Sequence, residues 1–372
     1  MLKTSHPLGK IVLGMSGGVD SSVCAYLLKK QGYQVIGLFM QNWDTYINND
    51  IRGHLKTNDK YCNAQKDFTD AQKVAHKLGI EIHRTEFIEQ YWKKVFSYLI
   101  KEYRAGRTPN PDILCNKYIK FHEFIKYALK HFHTSHIAMG HYANVVYKNK
   151  KYLLTMAKDK EKDQTYFLCW LTQKQLKHTK FPIGNLTKNE VRKIAKQIGL
   201  SNWNKKDSTG ICFIGERNFK QFLNNYLPDK KGNVINIETN QKIGIHDGVA
   251  FYTYGQNKGL GLSGQTQKYF VCAKDIKQNI LYVCDTKHIN KHLISTKCEL
   301  TNFNWINNIP KIEKVQIRFR HRQKLINGSF VIRKNTIILT YHPTLSVTLG
   351  QFAVLYQENI CLGGGIVNHV FK

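Results

Sequence analysis

The chain has 372 residues, 42% of them hydrophobic, with 56 Lys and Arg against 26 Asp and Glu and a formal net charge of +30. That length allows two or three domains with cores of their own, and no apolar run is long enough to span a bilayer or, near the N-terminus, to serve as a secretory signal. The charge excess predicts attraction to a polyanion, RNA or DNA, although Lys, Asn and Ile richness also reflects an AT-rich coding sequence.

Nine cysteines, none in a Cys-x-x-Cys pair, read as reduced cytoplasmic thiols buried mostly as small hydrophobes. Without metal-ligand spacing, any catalytic cysteine has to be found by its surroundings.

In chain order, an apolar strand from Ile11 ends in Ser16-Gly17-Gly18, and Val19 to Lys30 reads as a helix that Gly32 terminates. Small residues at such a turn let a phosphate approach the backbone, and the helix N–H groups and dipole favour its charge. The Gly-x4-Gly-Lys-Ser/Thr pattern of a P-loop is absent. Further strands at Tyr33 to Met40 and Glu81 to Thr85 alternate with helices at Asp67 to Leu78 and Glu89 to Arg104, which predicts a doubly wound parallel sheet. Ligands on such sheets sit at the carboxyl ends of the strands, where Ser16 to Ser21 falls. Residues 42–61 are polar and irregular and read as a mobile loop or lid.

Two prolines in Gly106-Arg-Thr-Pro-Asn-Pro-Asp-Ile-Leu-Cys-Asn116 predict a stiff loop that delivers Cys115 close to a helix N-terminus, where a thiol's pKa falls. An amphipathic segment follows from Lys117 to about His131. His136 to Tyr142 reads as a buried strand running into Gly140-His141, and Lys158 to Gln164 as a charged run at the mouth of something packed. Thr187-Lys-Asn-Glu190 is a capping box for a helix at Val191 to Ile198, explained by structure alone. Lys205 to Gly215 forms a second small-residue loop, in which Cys212 is accessible, followed by a helix from Glu216 to Tyr226.

From about Gly248, short alternating runs predict strands at Val249 to Tyr254, Tyr269 to Ala273, Ile280 to Cys284, Val315 to Phe319, Phe330 to Arg333, Thr336 to Tyr341 and Phe352 to Tyr356. These strands imply a β-barrel or sandwich, of which the barrel is the expected fold. Arg318, Arg320 and Arg322 are expected on one face of one strand, where they would repel each other unless a polyanion lies across them. The expected organisation is an α/β catalytic domain over 1–204, a small central domain over 205–265 and a C-terminal barrel over 266–372.

The Ser-Gly-Gly-x-Asp-Ser loop resembles that of the ATP pyrophosphatases. With Gly106 to Phe121, Met139-Gly-His-Tyr142, Lys162-Asp-Gln164, Asp207-Ser-Thr-Gly-Ile-Cys-Phe-Ile-Gly215 and Gln351 in the same order, the chain resembles the bacterial tRNA-specific 2-thiouridylases from end to end. The resemblance implies ATP, with Mg²⁺ accompanying it on unspecified ligands. Its phosphates would lie on Gly14, Met15, Ser16, Gly17, Gly18, Val19, Asp20 and Ser21, and its adenosine near Met40 and Gly140.

It also implies a flipped wobble uridine of tRNA Lys, Glu or Gln near Asn110, Pro111 and Asp112. Further RNA contacts would come from His141, Lys162, Asp163, Gln164, Arg320, His321 and Gln351. Where the family commonly has Arg-Tyr this chain has Arg320-His321, which keeps a ring for stacking. The implied chemistry adenylates the uridine 2-oxygen and replaces it with sulfur from a persulfide on Cys212. Cys115 would be the second catalytic thiol and Asp112 would accept or supply a proton, the two cysteines ending as a disulfide. The donor would be a sulfur carrier protein or a cysteine desulfurase.

Three other readings compete. A small-molecule adenylating ligase explains Ser16 to Ser21 but neither Cys115 nor Cys212. A noncatalytic RNA-binding protein has no use for an intact Asp20-Ser21 and both cysteines. A metal-dependent RNA thiolase needs the Cys-x-x-Cys pairs that the chain lacks.

Overall fold

The computed structural model describes residues 8–50, 52, 63–207, 214, 218–228, 230–262, 267–311 and 313–371. Its N-terminal layer is a five-stranded parallel sheet in the order 81–86, 34–41, 10–14, 137–138, 179–180. The order reverses at Lys10–Gly14, and the crevice of a doubly wound sheet opens beside such a strand. Apolar side chains bury both faces. Ile11 and Leu13 pack with the helices Val19–Lys30 and Asn63–Leu78, while Val12 packs with the helical layer that carries Cys115.

The expected helix at Glu89 to Arg104 is present as Ile88–Tyr91, a π-helical Trp92–Phe96 and Ser97–Arg104. The Pro loop ends sooner than expected. Pro111 takes the first position of a helix at Pro111–Cys115, where its missing N–H costs nothing, and a π-helical stretch Asn116–Glu123 continues it to Phe124–Phe132. Beyond Asp207, the expected helix at Glu216 to Tyr226 is described as Phe219–Leu223, with Phe222 and Leu223 buried.

A middle sheet has the order 269–275, 280–285, 232–236, 242–246. The strands Tyr269–Asp275 and Ile280–Asp285, expected to open the C-terminal barrel, therefore pair here, because Ile280–Asp285 runs parallel to Gly232–Asn236. Val249 to Tyr254 is not a strand. It folds as a 3-10 turn, Val249–Phe251, with the Phe251 ring over Gly248 at φ +152°.

The C-terminal barrel closes through pairing of Ile294–Trp305 with both Thr336–Leu345 and Ile360–Phe371. A hairpin from the N-terminal half, Ala143–Lys148 and Lys151–Met156, extends this sheet by pairing with Ile360 and Cys361. Gly364 and Gly365 make the join possible. A Cβ at Gly364 would lie 2.8 Å from the Cys169 sulfur, and one at Gly365 2.8 Å from the Phe303 ring.

The arginine row is a correction. The strand ends at Arg318, which is buried against Asp163 at 2.8 Å and over the Tyr356 ring, and Arg322 lies in the following turn at φ +66°. One buried ion pair, rather than a bound polyanion, accounts for the first guanidinium. Arg318→Met leaves the Asp163 carboxylate buried without its cation and is expected to cost about 3–5 kcal/mol, read as a lower denaturation midpoint. An unchanged midpoint would contradict the assignment of this pair as the barrel's anchor.

Candidate functional site

Ser16 to Ser22 forms a compact turn at the carboxyl end of Lys10–Gly14. Ser21 Oγ donates to the Gly18 carbonyl at 3.1 Å and accepts from the Ser16 N–H at 3.2 Å, and Ser22 Oγ donates to Gly18 at 2.9 Å. Gly18 caps the helix in extended conformation with no side-chain cap, which leaves the helix N-terminus to an anion. Gly17 is at φ +73°, and a Cβ there would collide with the Asp67 carbonyl. Gly140 passes so near that its Cβ would lie 3.1 Å from the Ser21 nitrogen. Met40 and Met139 converge over Gly14. The residues expected around the nucleotide are thus brought together: Gly14 to Ser21, Met40 and Gly140.

A second set of residues ties this turn to the segment that ends at Asp207. Lys188 Nζ stands 2.8 Å from both Asp20 oxygens and 2.7 Å from Asp207 Oδ1, and Tyr142 Oη donates to Asp20 at 2.8 Å. Asp207 also pairs with Lys162 at 2.8 Å and Arg192 at 3.1 Å. Burial alone would push the Asp207 carboxyl up, but hydrogen bonds and charge from Lys162 and Lys188 hold it at about 2. Asn202 donates to the Gly17 carbonyl and to Ser22, and Lys205 pairs with Asp67 and Asp70. Asn202 and Lys205 thus reach the anion turn and the helix beside it, while Arg192 and Lys162 hold the same segment from other elements.

Lys188 was hidden in the sequence. The Thr187–Glu190 capping box forms as expected, but it places a lysine in the first turn, where the helix dipole disfavours a cation. Helix stability gives no reason for that residue, and two carboxylates do.

Cys115 is the fifth residue of the helix that Pro111 opens, past the first turn rather than at the N-terminus expected for it, and is fully buried in the core that includes Ile113, Leu114 and Ile119. Cys212 lies outside the described residues, as does most of Ser208 to Gly215. The seven described cysteines are all buried. The Pro loop that leads to Cys115 is pinned from both other sheets. Gln351 Nε2 donates to the carbonyls of Thr108 at 3.0 Å and Pro109 at 3.2 Å, Thr108 N–H donates to Leu349, and Lys274 donates to Gly106 at 3.0 Å. Burial lowers Lys274 to about 7. Asn110 precedes the helix with its Oδ1 buried and unpaired, and Asp112 is half-buried in the first turn.

The residues expected to meet RNA divide in two. Asp163 is buried, held by Arg318 and Thr165, and His141 is buried between Phe121 and Phe181, where desolvation keeps its imidazole neutral. Neither presents a charge to solvent in this state. Lys162, Gln164, Arg320, His321 and Gln351 are more open and bind other parts of the chain. Gln164 exchanges two bonds with Tyr142, His321 donates to the Asp163 carbonyl over Phe167, and Arg320 donates to Ser346.

Of the proposed lid, residues 42–50 are described, with Trp43 and Asp50 buried and Tyr46 and Ile47 exposed. Trp43 Nε1 donates to Asp50 at 3.0 Å, and Tyr226 Oη donates to the Asn48 carbonyl at 2.7 Å. Residues 51 and 53–61 lie outside the described residues.

Family comparison divides the chain into a tRNA methyl transferase HUP domain over residues 9–216, a tRNA methyl transferase PRC-barrel domain over 220–285 and an aminomethyltransferase beta-barrel domain over 295–367. The tRNA-specific 2-thiouridylase MnmA of Mycoplasma capricolum is 51% identical across 98% of this chain and 99% of its own, and that of Malacoplasma penetrans 52% across 96% and 97%. The chain belongs to the tRNA-specific 2-thiouridylase family. Descriptions of its domains speak of methyl transfer, but the likeness to the 2-thiouridylases runs through nearly the whole chain and decides the assignment.

A solved 4-thiouridine synthetase–RNA complex with bound ATP overlaps 55% of this chain and 44% of that one at 15% identity and a TM-score of 0.32, too little to bear on the site. The middle sheet agrees with the PRC-barrel match, which ends at 285 after the strands at 269–285.

The Asp207 carboxyl is lower in the folded chain than its ordinary 3.8, so its contribution to stability is complete above that pH and is lost as pH falls towards about 2. Asp207→Asn is expected to flatten this part of the acid-denaturation curve. Circular dichroism from pH 6 to pH 2 measures it, and superimposable curves would contradict the network.

Proposed function

We propose that this chain is a tRNA-uridine 2-sulfurtransferase that adenylates the 2-oxygen of the wobble uridine in tRNA Lys, Glu and Gln and replaces it with sulfur, releasing AMP and pyrophosphate. The observation that carries the reading is the Asp20–Lys188–Asp207 bridge, which joins the anion turn to Asp207, five residues before Cys212 in the sequence. An enzyme that only adenylates has no need of that join.

In this reading Gly14 to Ser21 hold the phosphates of ATP, with Gly17 and Gly140 leaving room and the helix N-terminus supplying charge. Lys188 offsets the Asp20 carboxylate, which would otherwise repel a phosphate from the first turn. Among the described residues no group of three His, Cys, Asp or Glu is placed to hold a metal, so Mg²⁺ would arrive with the nucleotide. Asn110, Pro111 and Asp112 receive the uridine, whose flipping is inexpensive from a single-stranded anticodon loop, and Asp112 moves its proton.

Sulfur transfer balances with two thiols. The terminal sulfur of a Cys212 persulfide bonds to C2 of the adenylated base as the C2–O bond to AMP breaks. Cys115 thiolate attacks Cys212 Sγ, the persulfide S–S bond breaks, and a Cys115–Cys212 disulfide remains for a thiol reductant to reset. The persulfide comes from a carrier protein or a cysteine desulfurase. A buried Cys115 requires the Pro loop to yield first. RNA competing for Gln351 would remove one of the contacts that hold it, while phosphates on Arg320 and Lys162 would add the salt dependence of phosphate binding. No helix among the described residues is long and apolar enough to cross a membrane, in line with a cytoplasmic tRNA enzyme.

With ATP, Mg²⁺, a sulfur donor and unmodified tRNA, the protein is expected to form 2-thiouridine and AMP together, and ATP turnover that ignores tRNA would favour the small-molecule ligase. Cys115→Ser and Cys212→Ser should each abolish thiolation, and full activity in both would end the two-thiol scheme. Lys188→Met is expected to raise KM for ATP roughly tenfold, about 1.4 kcal/mol, the size of an uncompensated charge near a helix terminus. An unchanged KM in steady-state kinetics would remove Lys188 from the ATP site.

A further inference from the structure

One buried side chain at the carboxyl end of Gln34–Gln41 has no role in the scheme above. Asn42 is 1% exposed, and neither its Nδ2 nor its Oδ1 has a hydrogen-bond partner among the described residues. Its neighbours are engaged: Gln41 bonds Arg84 and Asp44, and Trp43 bonds Asp50. A primary amide carries two N–H donors and an acceptor, and burying both ends unpaired destabilises the fold. Stability therefore gives no reason for Asn42, whereas an apolar residue of the same size would serve it better.

Its position supplies a reason. Along the strand, Ile36, Leu38 and Met40 join the core of Ile113, Leu114 and Cys115, while Val35 and Phe39 face the opposite core. Trp43 packs in the same core as Cys115, and Asn42 beside it follows the last residue of the strand. It lies two residues beyond Met40, at the strand ends where Gly14 and Gly140 also sit and where a doubly wound sheet takes its ligand.

We propose that Asn42 is a base-reading residue, whose amide pairs with a planar base edge that presents an N–H donor next to an acceptor. This rests on the thiolation reading, which brings two such edges to the site: uracil through N3–H and O4, and the adenine of ATP through its 6-amino group and a ring nitrogen. In either case Oδ1 accepts the N–H and Nδ2 donates to the acceptor. Held by N3–H and O4, a uracil keeps its 2-oxygen open on the far side of N3, as adenylation requires.

The test compares wild type with Asn42→Leu, similar in size and without polar atoms, and with Asn42→Asp, which keeps the acceptor and loses the donor. KM is measured separately for ATP and for unmodified tRNA, and the melting temperature without either. Asn42→Leu is expected to melt at or above the wild-type temperature, since the unpaired amide is gone. Both variants are expected to raise KM for one substrate roughly 5- to 150-fold, the worth of a bidentate base contact. A rise for tRNA assigns uracil as the base read, and a rise for ATP assigns adenine. Unchanged KM values in both variants, with or without a lower melting temperature, overturn the proposal. Wild-type thiolation is the control: its absence sinks the thiolation reading along with Asn42, whereas an active wild type beside unaffected variants sinks Asn42 alone.

Discussion

Two carboxylates on separate loops share one ammonium. Asp20 sits in the first turn of the helix that faces the anion turn, Asp207 opens the segment that leads to Cys212, and Lys188 lies between them at 2.8 and 2.7 Å. Each carboxylate is about one-third exposed and Lys188 is nearly buried, so Lys188 attracts both carboxylates more strongly than it would on the surface. Asn202 and Lys205 add further ties from the segment that ends at Asp207. The anion turn and that segment are therefore joined, although nearly 190 residues of sequence lie between Asp20 and Asp207.

The rest of the structure closes around that join from the other side. The Pro loop has contacts from both later sheets, through Lys274 from the middle one and Gln351 and Leu349 from the barrel. The barrel in turn is anchored on the N-terminal half by the Asp163–Arg318 pair and by the hairpin at 143–156. Of these side chains, Gln351 and Asp163 are ones that the family resemblance connects with RNA. In the proposed reaction, an RNA that engaged Gln351 would take from the Pro loop one of the contacts that hold it over the buried Cys115.

Much of this was legible in the sequence. The anion turn, its flanking strand and helix, the parallel sheet and the Thr187 capping box followed from local pattern, since each is fixed by residues close in the chain. The barrel was half legible. Ile360–Phe371 was missed because Gly363, Gly364 and Gly365 look like a turn, whereas they are there to admit Phe303 and Cys169. Val249 to Tyr254 has strand composition but follows a glycine at φ +152°, and it turns instead. Arg318 closes its strand, with Arg320 and Arg322 beyond it, and its partner Asp163 is 155 residues away, beyond any local rule. Lys188 and Asn42 were invisible for the same reason: one makes sense only beside two distant carboxylates, the other only beside a ligand.

The account's central claim is that the anion turn and a pair of thiols serve one reaction. Mass spectrometry of unreduced peptides after a single turnover, with persulfide loaded beforehand and ATP and tRNA added together, tests it most directly. The account predicts a Cys115–Cys212 cross-link in proportion to the 2-thiouridine formed, and none when ATP or tRNA is left out. Thiolated tRNA accumulating with both cysteines still unlinked would contradict it.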